Sequence, residues 1–311
     1  MDRIIGRYTG VEKGPLVIAF GAMHGNEPAG VKALQATFEA LENEPKSNPN
    51  FEFCGRLFGL IGNIKAYQQD VRFIEKDLNR QWTPLNIQRA KTSPHESLEP
   101  ELQELKQLLE VIEAEIAAYQ PNRIVILDLH TTTAFGGIFS LPARDPESER
   151  IALELHAPVI KGLLEGIAGT TLHYFVQENF TPKISAVTFE SGQHQEELSV
   201  SRAIAAITNC LRTVSCVQES DVENRHDKIL KAYSASLPNL SQLLYVHPIK
   251  EGDDFVMHPG FKNFQPVEEG QLLAHDRHGE IRAKHDGRIL MPLYQKQGED
   301  GFFVIRNIEG Y

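Results

Sequence analysis

The chain has 311 residues, 41% apolar and 23% charged, the proportions of a folded globular protein with room for one large domain or for a domain of about 200 residues and a smaller companion. Its net charge of -11 at pH 7 repels phosphate, and no Lys/Arg cluster offsets it, which excludes nucleic acids and anionic membranes as expected partners. Three cysteines without CxxC spacing exclude a disulfide framework and a thiolate metal site; the opening MDRIIGRYTG lacks a signal-peptide apolar run, so the expected location is the cytoplasm.

Residues 15–21 (PLVIAFG) form a nearly continuous apolar run ending in glycine, the pattern of a strand buried on both faces. A helix should follow through about residue 42, with Asn26 as its cap, Pro28 in its first turn, and Val31, Leu34, Phe38 and Leu41 at helical spacing. Residues 56–62 (RLFGLIG) read as a second strand leading into a polar loop. From 99 to 119, Leu102, Leu105, Leu109, Ile112 and Ile116 make one apolar stripe on a helix that Pro121 stops. A third buried strand, 123–129 (RIVILDL), completes the repeat of an α/β sheet. Next come a Gly-containing loop, a strand at 138–141, a helix at 147–165, a strand at 184–189 and a helix at 196–213. Past residues 221–228 the chain breaks into short β-like runs at 243–246, 254–257, 272–274, 281–283, 288–293 and 302–305, separated by Gly and Pro, which predicts a small β domain at 226–311 after a larger α/β domain at 1–225.

The strongest local signal is 21–27, where His24 and Glu27 stand three apart just beyond a buried strand. Zinc accepts imidazole nitrogen and carboxylate oxygen, and a catalytic zinc takes three protein ligands. His130, at the end of the 123–129 strand, is the candidate third ligand, because strand ends on one edge of a parallel sheet meet in the same crevice. Asp128, two residues earlier and on the same face, is placed to steady a ligating imidazole. The loop 72–80 offers Arg72 and Arg80, whose forks suit carboxylates, and Asn79 as a neutral donor; a solvated charged loop is the plainer reading. Glu190, at the tip of the 186–189 strand, is a candidate general base, although such glutamates are commonly surface residues.

Taken in order, GAMHGNEPAG (21–30), RFIEKDLNRQW (72–82), LDLHTTT (127–133) and VTFESGQ (187–193) resemble the aspartoacylase/succinylglutamate desuccinylase family, related to the zinc carboxypeptidases. The resemblance implies a mostly parallel or mixed sheet flanked by helices with a small β domain behind it. It implies one zinc on His24, Glu27 and His130, with Glu190 activating the attacking water and Arg72 polarising the scissile carbonyl. It further implies that Asn79 and Arg80 grip the α-carboxylate of a small anionic N-acyl amino acid, and that Tyr294 of the β domain reaches the site.

Two segments depart from the family. Residues 178–189 contain no arginine, where aspartoacylases carry one for the substrate's side-chain carboxylate, and Lys183 is the cation there. After His130 the chain reads TTTAFG, where desuccinylases have an arginine. The acyl group and the amino acid therefore stay open. Two other readings stand beside a deacylase: a zinc carboxypeptidase acting on short peptides, and a non-catalytic metal-containing binding protein. Turns near 264–271 and 286–289 are similar to those of biotinyl/lipoyl-like domains, but without a lysine in the hairpin context; a lid or a homo-oligomer surface is the expected role. His275, His278 and His285 read as exposed, Cys54 as near-core, and Trp82 as packing beneath the loop.

Overall fold

A computed structural model describes residues 1–222 and 225–308. The chain runs β1 (Ile4–Thr9), β2 (Glu12–Gly21), α1 (Ala29–Ser47), β3 (Cys54–Ile61), α2 (Ile64–Gln69), α3 (Pro84–Thr92), α4 (Pro100–Tyr119), β4 (Arg123–Thr132), β5 (Phe139–Pro142), α5 (Pro146–Glu154) and β6 (Val159–Lys161). It continues through α6 (Leu163–Gly166), α7 (Thr171–Tyr174), β7 (Lys183–Gln193), α8 (Glu197–Thr213) and α9 (Arg225–Ser234). The last part holds β8 (Leu240–Pro248), β9 (Val256–Met257), β10 (Pro266–Val267), β11 (Leu272–Asp276), β12 (Gly279–Arg282), β13 (Gly287–Leu290) and β14 (Asp300–Asn307).

The apolar runs become the centre of one mixed sheet ordered β1-β3-β2-β4-β7-β5-β6-β8-β14-β13-β10. Strands β3, β2, β4 and β7 are mutually parallel. Their side chains alternate between two cores because successive strand residues face opposite ways. Val17, Ala19, Val125, Leu127 and Val187 pack with Leu34 of α1 and Ile207 of α8. Leu16, Ile18, Ile124 and Ile126 pack with Leu105 and Ile112 of α4 and with Trp82. The fold is thus α/β, with helices on both faces and a β-rich C-terminal region that adds a separate sheet, β12-β11-β9.

Two expectations need correction. The helix expected at 147–165 ends at Glu154, and residues 159–161 pair instead with β5 and β8. His156 sits at φ 55, and the residue before Pro158 is disfavoured from helix, so the chain cannot continue as α. Asn26 does not cap α1, whose N-cap position is Pro28 with no side-chain cap bond; its Nδ2 donates to Gln295 Oε1 at 2.9 Å. In the β-rich C-terminal region, β8, β14, β13 and β10 extend the main sheet through β6.

Candidate active site

The site lies beyond the C-terminal ends of β2, β4 and β7, the position where parallel strands open a crevice. Ala22, at φ 53, turns the chain sharply out of β2; this left-handed conformation costs a non-glycine residue about 1 kcal/mol. Its carbonyl accepts from Asn63 N at 2.8 Å, and the Gly21 carbonyl accepts from Gly62 N at 2.9 Å, so the strained turn is fixed to the end of β3. His24 follows. His130 and Glu190 are cross-strand partners on β4 and β7, so sheet register sets their separation.

Three side chains converge. His24 Nδ1 lies 2.9 Å from Glu27 Oε1, and His130 Nδ1 lies 3.1 Å from Glu27 Oε2, which also accepts from Thr131 N at 2.9 Å. One ligand atom from each of His24, Glu27 and His130 falls within 4.8 Å of the others. Behind them, His24 Nε2 is 3.0 Å from Asp77 Oδ1 and His130 Nε2 is 3.1 Å from Asp128 Oδ2. Asp128 Oδ2 is itself held by Thr171 Oγ1 at 2.6 Å. Two buried imidazoles and one carboxylate, each imidazole backed by a further carboxylate, form a donor set that fits a catalytic zinc.

Electrostatics follow from burial. Burial pushes the Glu27 carboxyl up, but the charges and hydrogen bonds of His24 and His130 outweigh it and hold the group well below 4.5. At Asp77, burial is likewise overcome by His24, Arg72 and Arg80, and its acidity is strongly increased. Burial disfavours charge on His130, yet Asp128 and Glu27 raise it well above 6.5. Glu190 behaves oppositely: burial, with the negative charges of Glu27 and Asp128, pushes its carboxyl up to about 8 against the pull of His130 and Arg72. Its Oε2 finds no hydrogen-bond partner among the described residues. A buried carboxyl poised near neutrality can take and return a proton.

The 72–80 loop is ordered from below. The buried Glu101 carboxylate, in the first turn of α4, accepts from the backbone N–H groups of Ile74, Glu75 and Lys76 at 2.7, 3.2 and 3.1 Å. Arg72 then grips Asp77 Oδ2 through Nη2 at 2.9 Å, with another guanidinium nitrogen 3.6 Å from Glu27 Oε1. Asn79 Oδ1 accepts from Thr171 N at 3.0 Å, and the residue lines the cavity. Arg80 pairs with Asp300 Oδ2 at 2.5 Å, so one of its faces already meets a carboxylate. Trp82 is buried against Phe20 and Phe175, as expected.

Arg72, Asn79 and Arg80 line a cavity of about 100 Å³. Its far wall is the 291–300 segment from β13 to β14, tied down by long-range bonds. Gln297 Oε1 accepts from Arg72 N at 3.1 Å and its Nε2 donates to the Phe73 carbonyl at 3.0 Å. The buried Asn263 links the two halves, donating to Thr132 Oγ1 at 3.0 Å and accepting from Met291 N at 2.7 Å.

His24, Glu27, Arg72, Asn79, Arg80, His130 and Glu190 all border the cavity, and Asp128 stands directly behind His130. Tyr294 does not join them. Its hydroxyl accepts from Phe261 N at 2.8 Å and donates toward the His258 carbonyl at 3.0 Å, because the 258–261 turn offers backbone partners outside the cavity. Sequence reasoning passed over Asp77, although it lies between the two arginines of the loop. It also passed over His194, four residues past Glu190, which borders the cavity with Nδ1 2.7 Å from Thr131 Oγ1. Glu299 and Asp300 carried no local signal.

Residues 13–214 match the model of the succinylglutamate desuccinylase/aspartoacylase catalytic domain. A probable aspartoacylase of Nostoc sp. is 35% identical over 125 residues, covering 39% of this chain and 37% of that protein's length. A succinylglutamate desuccinylase of Pseudoalteromonas atlantica is 22% identical over 289 residues, covering 88% of this chain and 76% of its own. Among solved structures, a succinylglutamate desuccinylase from Vibrio parahaemolyticus superposes with a TM-score of 0.63 at 16% identity, covering 96% of this chain and 83% of that one, and so shares the fold. No helix among the described residues is long and apolar enough to cross a membrane. The chain belongs to the succinylglutamate desuccinylase/aspartoacylase family, a family of amide-hydrolysing enzymes.

Proposed function

We propose that this protein is a zinc-dependent amidohydrolase that removes the acyl group from a small N-acyl amino acid. The observation that carries the reading is the convergence of His24, Glu27 and His130 within 4.8 Å, with the unpartnered oxygen of Glu190 buried in the same cavity. Two imidazoles and a carboxylate favour zinc over the oxygen-seeking alkaline-earth ions. Bound there, zinc would supply Lewis acidity at the scissile carbonyl and make the attacking water more acidic.

The remaining work falls to side chains. Glu190 takes the proton of the attacking water and hands it to the leaving amine, which departs as a free amino acid beside the released carboxylate. Arg72, fixed by its fork on Asp77, presents positive charge to the developing oxyanion. Asn79 and Arg80 hold the α-carboxylate, which shares the Arg80 guanidinium with Asp300 or displaces it. Residues 1–225 form the proposed catalytic domain and 226–311 a proposed β-rich domain whose 291–300 segment walls the cavity. A cytoplasmic location belongs to the same proposal.

A carboxypeptidase acting on peptides would use the same groups, but a cavity of about 100 Å³ closed on one side by that segment favours small substrates. The test is hydrolysis of N-acetyl-, N-formyl- and N-succinyl-amino acids and short peptides by the zinc-loaded wild type and Glu190→Gln. Turnover of an acyl amino acid that disappears in the variant while zinc stays bound supports the reading. Turnover of peptides alone replaces it with the carboxypeptidase, and silence across the panel favours a binding protein.

A further inference from the structure

The cavity lining combines polar and apolar side chains. It includes a group of apolar side chains: Leu163, Leu164 and Ile167 from the segment at α6, Leu141 of β5, Leu293, and Phe303 of β14, of which Leu141, Leu163, Ile167 and Phe303 pack on one another. This wall adjoins the groups assigned to the α-carboxylate. Gly169, two residues beyond Ile167 and at φ 70, comes so close to Arg80 that a Cβ there would stand 2.3 Å from the Arg80 carbonyl oxygen. Thr171, two residues further, donates to Asn79 Oδ1. The segment that supplies the wall therefore also buttresses the carboxylate grip. In an amino acid, the side chain and the carboxylate branch from the same carbon, so whatever the grip holds directs its side chain along the neighbouring wall.

We infer that this wall is the specificity pocket for the substrate's amino-acid side chain, and that the side chain it selects is uncharged and aliphatic rather than the carboxylate of aspartate or glutamate. The inference rests on the deacylase reading and narrows its substrate class.

The charges lining the cavity point the same way. Its arginines are Arg72 and Arg80, and both already meet carboxylates, Asp77 and Asp300. Glu299 and Asp300 line it as well, adding negative charge. A side-chain carboxylate laid against the leucines would lose its water, gain no cation of its own and face like charge. An aliphatic side chain there loses only unfavourable hydration.

Binding and turnover are measured separately. Zinc-loaded Glu190→Gln is titrated calorimetrically with N-acetyl-L-leucine, N-acetyl-L-methionine, N-acetyl-L-aspartate and N-acetyl-L-glutamate. The expected result is a preference of at least roughly tenfold for the first two, matched in kcat/KM of the wild type. Ile167→Arg, at a partly buried position on this wall, should shrink or reverse that preference while the thermal midpoint stays near that of the wild type. Equal or tighter binding of the aspartate or glutamate derivative overturns the inference, as does binding of none of the four. If the wild type hydrolyses the acidic derivatives best, the deacylase reading stands and the pocket assignment falls. If leucine and methionine derivatives bind preferentially to Glu190→Gln but no acyl amino acid is turned over by the wild type, the pocket assignment stands and the deacylase reading falls.

Discussion

The near rim of the cavity and its far rim are built by different means. On the near rim, His130 and Glu190 stand opposite each other on adjacent parallel strands, and their separation is fixed by backbone ladders with no freedom beyond a rotamer. On the far rim, residues 291–300 are held by side-chain bonds from Asn26, Thr133 and Asn263 and by Gln297 reaching to the 72–73 backbone. The near rim can hold groups to the tolerance that proton transfer needs, whereas each bond of the far rim is a separate two-partner contact whose loss loosens one point. Chemistry should therefore be sensitive to the first, and affinity to the second.

The sharpest way to break this contrast is Glu190→Gln. It should lower kcat by about 10²–10⁴-fold with zinc content unchanged by elemental analysis; a normal kcat would remove Glu190 from the chemistry. The same residue should mark the pH dependence of stability. Its carboxyl titrates near 8 in the folded chain against an ordinary 4.5, so between those values the folded state binds the proton that the unfolded state has released. The stability this adds is complete below about pH 4.5 and is lost as pH rises through about 8. Denaturant titrations of zinc-free wild type and Glu190→Gln at pH 5 and pH 8 should show the wild type losing more stability over that rise; the opposite order contradicts the assignment.

Next in size are the carboxylates behind the imidazoles. Asp77→Asn or Asp128→Asn should weaken zinc binding by about 10–100-fold in competition with a chromophoric chelator. On the far rim, Asn263→Ala removes partners from Thr132 Oγ1, the Ala134 carbonyl and Met291 N. The loss should cost about 1–3 kcal/mol, read as a lowered melting temperature, and raise KM more than it lowers kcat. Smallest is Tyr294→Phe, whose hydroxyl serves the 258–261 turn; kcat/KM should stay within roughly twofold of wild type, and a large fall would bring Tyr294 back into the site.

The near rim was legible in the sequence and the far rim was not, for the same physical reason. Strands buried on both faces read as unbroken apolar runs, and a histidine ending such a run is conspicuous, as His130 was, whereas Glu190, a weak signal alone, gained weight from the motifs around it. Asp77 could not be separated from its charged neighbours until the loop was seen folded over Glu101. Nothing in 291–300 distinguishes Asp300 from any surface acid, because its partner Arg80 is 220 residues away. Among the strands, β1 escaped because its residues are only partly buried. Strand β6 escaped because it is only three residues long, and its two apolar residues, Val159 and Ile160, fit a helical pattern that His156 and Pro158 in fact break.

The pairing of β6 with β8 also constrains how the chain comes to exist. Strand β6 is made well before β8, so a nascent chain emerging in order presents an unsatisfied sheet edge that only later residues can cover. The cavity closes later still, since its last wall, Asp300 and Phe303, lies on β14. A product stalled before β14 would thus carry the complete near rim and an open edge together, exposing His24, Glu27 and His130 to bulk water beside a ready template for strand addition, which makes the arrival of β14 the step that closes the cavity.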